Sequence, residues 1–196
     1  MAMSRITLPL PCSSLMSLTI LNLRKEKILL KHAIPMAKNI AALKKRAKQA
    51  GIPSIYVNDN FGRWQSDFQK LIERCLTEGV CGKPLTAILQ PEEDDYFVLK
   101  PKHSGFYSTT LDLLLRYLGA EILLLTGVAG NICALFTAND AYMRDYHLII
   151  PADCVASQTV KENMSALELM RKVLKAETRP STELDLQTLF VSHRSK

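Results

Sequence analysis

Apolar residues in this chain fall into two alternating patterns: short continuous runs, and longer stretches in which they recur every three to four positions. Ser54 to Val57, Tyr96 to Leu99, Glu121 to Leu125 and His147 to Ile150 are runs of the first kind. Continuous apolar runs of this length, rather than in/out alternation, predict strands covered on both faces. Ala33 to Ala50 is a stretch of the second kind, with Ile34, Ala37, Ile40, Ala41, Leu43 and Ala47 on one face and Gly51 as its stop. The same spacing predicts a helix from a Thr109 or Thr110 cap through Leu111, Leu114, Leu115 and Leu118 to Gly119. It predicts further helices over Gln65 to Glu78, from Cys133 to about Tyr146, and over Val160 to Ala176 with Met164, Leu167, Met170 and Leu174 on one side. Ser17 to Leu23 and Thr188 to Val191 read as two short additional strands.

Strands that alternate with helices predict an α/β fold, a three-layer αβα sandwich around a mainly parallel central sheet of Rossmann-like kind. Ligands in such sheets bind beyond the carboxyl ends of the strands. The segments Asn58 to Gly62, Lys100 to Phe106, Thr126 to Cys133 and Pro151 to Ala156 all follow strands, so they are expected to meet at one edge.

A chain of 196 residues is the size of one domain that needs neither disulfides nor metal to build its core. The pattern divides it into an atypical N-terminal segment, 1–25, and a regular domain, 26–196. The five cysteines, Cys12, Cys75, Cys81, Cys133 and Cys154, are odd in number and form no Cys-x-x-Cys pair. Reduced thiols in a cytoplasm are the expectation. The net charge of +6 is not spread over the chain: residues 1–50 hold ten Lys and Arg against Glu26 alone, and the remainder is net negative. A nucleic-acid partner is therefore not expected, and the cluster Lys44-Lys45-Arg46-Ala47-Lys48 reads as the solvated face of its helix. No apolar run approaches membrane-spanning length, so no membrane partner is expected either.

Cys133 is the chemically informative residue. It lies where the run Ile122 to Leu125 gives way, through small residues, to a helix pattern. Backbone N–H groups converge at such a junction and favour a thiolate, lowering the thiol pKa, although a small buried cysteine is also an ordinary core residue. Lys100 follows directly on another strand. Facing the crevice, its ammonium would hold the thiolate; facing away, it would reach to solvent.

Three ordered elements give the chain a family resemblance. Lys100-Pro101-Lys102-His103-Ser104-Gly105-Phe106 resembles the K-x-x-x-S-[AG]-F element of the isochorismatase-like cysteine hydrolases, and Thr126 to Ala141 resembles their T-G-V-x-[TG]-[ND]-x-C…T-A-x-x-A element. Pro151 to Ser157 supplies the third. Nicotinamidases, N-carbamoylsarcosine amidases and isochorismatases belong to that family, and the similarity runs from about Leu30 to Ala176. The resemblance implies that Cys133 attacks a small-molecule amide or related C–N bond, that Lys100 stabilises the thiolate, and that a thioester forms and is hydrolysed. It further implies a cis peptide between Val128 and Ala129 and an oxyanion hole made by the N–H groups of Ala129 and Cys133. A homo-oligomer, dimer or tetramer, is implied as well, and no cofactor.

Two departures from the family pattern change this picture. The family's third catalytic residue is an aspartate at the end of the first strand, the base for the thiol and for the hydrolytic water. No Asp precedes Asp59 here. Asn22 stands nearest the expected place, and asparagine accepts no proton at neutral pH. That absence coincides with the break before residue 26 and leaves three readings: a cysteine amidohydrolase, an inactive or weakly active member that binds or scaffolds, and an isochorismatase-type vinyl-ether hydrolase. The second departure is the lack of the Asp-x-His…His cluster by which nicotinamidases hold a metal. Val57 to Trp64 contains no histidine, so no metal is expected. Asn60, Phe61, Trp64 and Phe106 are candidate substrate-pocket residues, with core packing the alternative for each aromatic.

Overall fold

A computed structural model describes residues 12–17, 26–60 and 83–187. Its strands are β1 Cys12–Ser17, β2 Ser54–Asp59, β3 Tyr96–Lys100, β4 Ile122–Val128, β5 His147–Ile149 and β6 Val155–Ala156. They form one parallel sheet in the order β3-β2-β1-β4-β5, with β6 added to the end of β4. The helices are α1 Glu26–Gln49, α2 Lys83–Ile88, α3 Leu111–Tyr117, α4 Leu135–Tyr142 and α5 Val160–Val173. A π-helical turn, Gly130–Ala134, precedes α4. The fold is the expected three-layer α/β sandwich around a parallel sheet.

Strand β4 shows how the sequence builds three layers. All seven of its residues are buried, and the period of two sends Ile122 and Leu124 to one face, Leu123 and Leu125 to the other. The first face meets Ala33, Met36, Ala37, Ile40, Leu43 and Ala47 of α1 and Leu85 of α2; the second meets Leu111 and Leu115 of α3, Ala138 and Ala141 of α4, and Met170 of α5. Each buried leucine or isoleucine contributes about 1.5–3 kcal/mol. Helix α1 starts seven residues before the periodic stretch and runs through Pro35, where the apolar face outweighs a missing N–H. It ends at Gly51, which sits at φ +75°, a backbone that favours glycine.

Several elements differ from the sequence reading. The strand between β2 and β4 is Cys12–Ser17; of the expected strand Ser17–Leu23 only Ser17 is described, and 18–23 lie outside the described residues, as do the expected helix 65–78 and strand 188–191. A serine-rich segment, Cys12-Ser13-Ser14-Leu15-Met16-Ser17, carries no apolar run. It becomes a strand through two parallel neighbours. Helix α2, strand β6 and the 3-10 turn Ser181–Glu183 carried too few periodic positions to be read from sequence.

The basic cluster on α1 is not a plain solvated face. Lys44 is buried, donating to Tyr56 Oη at 3.1 Å and pairing with Asp95. Arg46 donates to the Ser181 and Leu184 carbonyls, and Lys48 meets Glu92 and Asp94. The acidic loop 92–95 and the C-terminal segment fold back over this turn and use its charges. Among the described residues, no helix is long and apolar enough to cross a membrane.

Candidate active site

The carboxyl ends of β2, β3 and β4 bring together Asp59, Lys100 and Cys133. Lys100 is the last residue of β3 and is almost wholly buried, at 1% exposure. Its ammonium donates to Asp59 Oδ2 at 2.7 Å and to the Lys102 carbonyl at 3.1 Å, and Cys133 Sγ lies 3.5 Å away. A lysine ammonium has three N–H donors, and here each has an acceptor. Lys100 thus faces the crevice rather than solvent.

Sequence reasoning missed Asp59. It stood in the polar stretch Asn58 to Gly62 and read as the turn after a strand ending at Val57. The strand continues to Asp59, and the parallel register pairs Asp59 with Lys100. The available signal was the lysine itself: a buried ammonium at a strand end calls for a carboxylate at the end of a neighbouring strand.

Cys133 sits in the π-helical turn and is buried. The peptide between Val128 and Ala129 is cis. Burial pushes the thiol above its ordinary range. Lys100 opposes this by charge and hydrogen bond and the Ala129 N–H by hydrogen bond, while the Asp59 carboxylate acts with burial. The expectation of a lowered thiol pKa is therefore corrected: desolvation, joined by the Asp59 carboxylate, outweighs Lys100 and the Ala129 N–H.

The three sequence elements interlock around this centre. Thr137 Oγ1 on α4 accepts from Gly105 N at 2.9 Å, and Ser104 Oγ accepts from Phe106 N at 3.1 Å while donating to Asp140. Ser157 Oγ accepts from Asn131 N at 3.1 Å and donates to Asn163 Oδ1 at 3.0 Å. The loop carrying Lys100 is thereby tied to the helix that follows Cys133, and the Cys133 turn to α5.

Of the expected pocket residues, Asn60 is buried beside the lysine, its N–H donating to the Lys100 carbonyl at 3.0 Å. Phe106 is accounted for by core packing: it is buried, with Arg144 4.6 Å over its ring and the Tyr146 ring at 6.1 Å. Phe61, Trp64 and Asn22 lie outside the described residues. Among the described residues, no group of three or more His, Cys, Asp or Glu is placed to hold a metal ion.

Comparison with known proteins bears on the family and the fold. The family described as the isochorismatase domain matches residues 28–179. An uncharacterised isochorismatase family protein, YaaI of Bacillus subtilis (strain 168), is 47% identical over 139 residues, covering 71% of this chain and 76% of the relative. The ureidoacrylate amidohydrolase RutB of Methylorubrum extorquens is 42% identical over 81 residues, which cover 41% of this chain and 33% of that protein. The match thus spans only a third of that enzyme's length. The crystal structure of N-carbamoylsarcosine amidase from Thermoplasma acidophilum superposes with a TM-score of 0.67 at 24% identity, covering 90% of this chain and 99% of that one.

Proposed function

The chain belongs to the isochorismatase family of hydrolases, and from that premise we propose that it is a cysteine hydrolase of a small-molecule amide or related C–N bond. The observation that carries the reading is Cys133 Sγ 3.5 Å from the buried Lys100 ammonium at the carboxyl edge of the sheet. On this reading Cys133 attacks the carbonyl carbon and the N–H groups of Ala129 and Cys133 receive the oxyanion. Each such donor is worth about 3–4 kcal/mol in the transition state. The C–N bond breaks, the amine leaves, and water hydrolyses the thioester. Support for the Ala129 donor comes from its N–H acting on Sγ in the resting protein. The same reading takes the protein as cytoplasmic, consistent with the free thiols of Cys133 and Cys154. It also takes it as a dimer or tetramer without nucleic-acid or membrane partners.

Ammonia release across a panel of small amides tests the assignment. Cys133→Ala is expected to abolish it, and a turned-over amide is expected to protect Cys133 from slow alkylation by iodoacetamide. A Cys133→Ala variant that releases ammonia normally would refute it. One observation favours a second reading: β1 carries no aspartate, as in a member that binds without turnover. Tight binding of an amide with no ammonia released would select that reading, and activity surviving Cys133→Ala would select vinyl-ether hydrolysis.

A further inference from the structure

We propose that Asp59 takes over, in this chain, the task of the missing first-strand aspartate: through Lys100 it receives the proton that Cys133 loses on attack and returns it to the departing nitrogen. The inference rests on the cysteine-hydrolase reading above.

Four observations lead to it. Strand β1 occupies the sheet position from which a first-strand carboxylate would project, and Cys12 to Ser17 contains none. Asp59 and Lys100 are register partners on parallel strands, so their side chains rise from the same level of the sheet. Lys100 links the two ends, with Asp59 Oδ2 at 2.7 Å on one side and Cys133 Sγ at 3.5 Å on the other. Finally, a 1% exposed ammonium requires a counter-charge, and Asp59, 19% exposed, supplies it while keeping contact with water.

The charges define the resting state and the step. Carboxylate, ammonium and neutral thiol sum to zero in a buried site, so the thiolate is formed only as it is consumed. Asp59 takes a proton from Lys100 Nζ, Nζ takes the proton of Sγ, and the S–C bond forms. When the C–N bond breaks, Nζ gives a proton to the leaving nitrogen and recovers one from Asp59. No proton is gained or lost overall, and Asp59 never touches the substrate; it is a positioning and proton-holding residue.

Other ionisable groups on the surrounding elements are engaged elsewhere. His103 is exposed and lies 5.5 Å from the Phe136 ring, Lys102 is exposed, and Asp140 of α4 holds Ser104 and Arg144. Among the described residues, the charges acting on the thiol are those of Lys100 and Asp59.

Asp59→Asn separates this role from a structural one, because the amide oxygen still accepts from Lys100 but carries neither charge nor basicity. The buried ammonium must then take its counter-charge from Sγ. The iodoacetamide rate–pH profile of Cys133, read by peptide mass spectrometry on the full chain, is expected to move down by about one unit. That is about tenfold more thiolate at pH 7 and roughly threefold faster labelling, since nucleophilicity falls with pKa. Asp59→Ser reads the same way should the asparagine variant not fold. An unchanged profile overturns the proposal. So does an upward shift, the signature of an aspartate that merely keeps Lys100 near the sulfur. Normal ammonia release by Cys133→Ala instead overturns the cysteine-hydrolase reading, and with it the proposal.

Discussion

Gly130→Ala tests how the nucleophile turn is held. A Cβ at Gly130 would lie 2.5 Å from Asn163 Oδ1 and 3.1 Å from Ser157 Oγ. The backbone of Gly130 is not at positive φ, so the cost is steric. Asn163 cannot move freely: its Nδ2 donates to the Val155 carbonyl at 3.1 Å and its Oδ1 accepts from Ser157 Oγ at 3.0 Å, which in turn accepts from Asn131 N at 3.1 Å. Accommodating the methyl breaks one or two of these bonds, at about 1 kcal/mol each, and adds overpacking of about 1–3 kcal/mol. The expected loss is about 2–4 kcal/mol, or roughly 5–15 °C in Tm for a domain of this size. Thermal unfolding by circular dichroism measures it. Because Gly130 lies three residues before Cys133, the labelling rate of Cys133 should change as well. The cycle with Asn163→Ala isolates the clash: removing Oδ1 should make Gly130→Ala cheaper by about 1 kcal/mol or more. A Tm loss below about 2 °C, or the same cost in both backgrounds, would refute the reasoning.

Lys100→Met removes both the charge and the hydrogen bond that oppose the rise in the Cys133 thiol pKa; Cys133 labelling at pH 7 should slow by about tenfold or more, and an unchanged rate would mean that the ammonium does not act on the thiol. Cys154 is fully buried, and burial pushes its thiol up to about 12. The folded chain thus holds this proton more tightly than the unfolded one. The stabilisation is complete below about pH 9 and declines as pH rises toward 12, so urea midpoints should fall over that range and fall less in Cys154→Ala. Thr159 and Glu162 form a reciprocal capping box at the start of α5; Thr159→Ala should cost about 1 kcal/mol in urea unfolding. Arg46→Ala frees the Ser181 and Leu184 carbonyls, and limited proteolysis should then cut the segment after Glu177 faster than in the wild type.

The hydrophobic pattern by itself determined the α/β alternation, because a strand covered on both faces must be continuously apolar and a covering helix must repeat every 3.6 residues. Both are properties of local sequence. The order Lys100, Cys133, Cys154 and the small-residue turn before Cys133 were legible for the same reason, since each lies next to its own strand. Three things waited for the tertiary structure. Strand β1 has little strand character of its own and exists through the registers that β2 and β4 impose on it. The basic turn of α1 changed from a solvated face to a set of buried and clamping charges once loop 92–95 and the C-terminal segment met it. Most consequentially, Asp59 and Lys100 are 41 positions apart in the chain, and only the parallel pairing of β2 with β3 sets the carboxylate against the ammonium. The upward shift of the Cys133 thiol follows from burial first and from the Lys100 and Asp59 charges after it: desolvation and counter-charge depend on what surrounds an atom in space, which no local pattern of residue types contains.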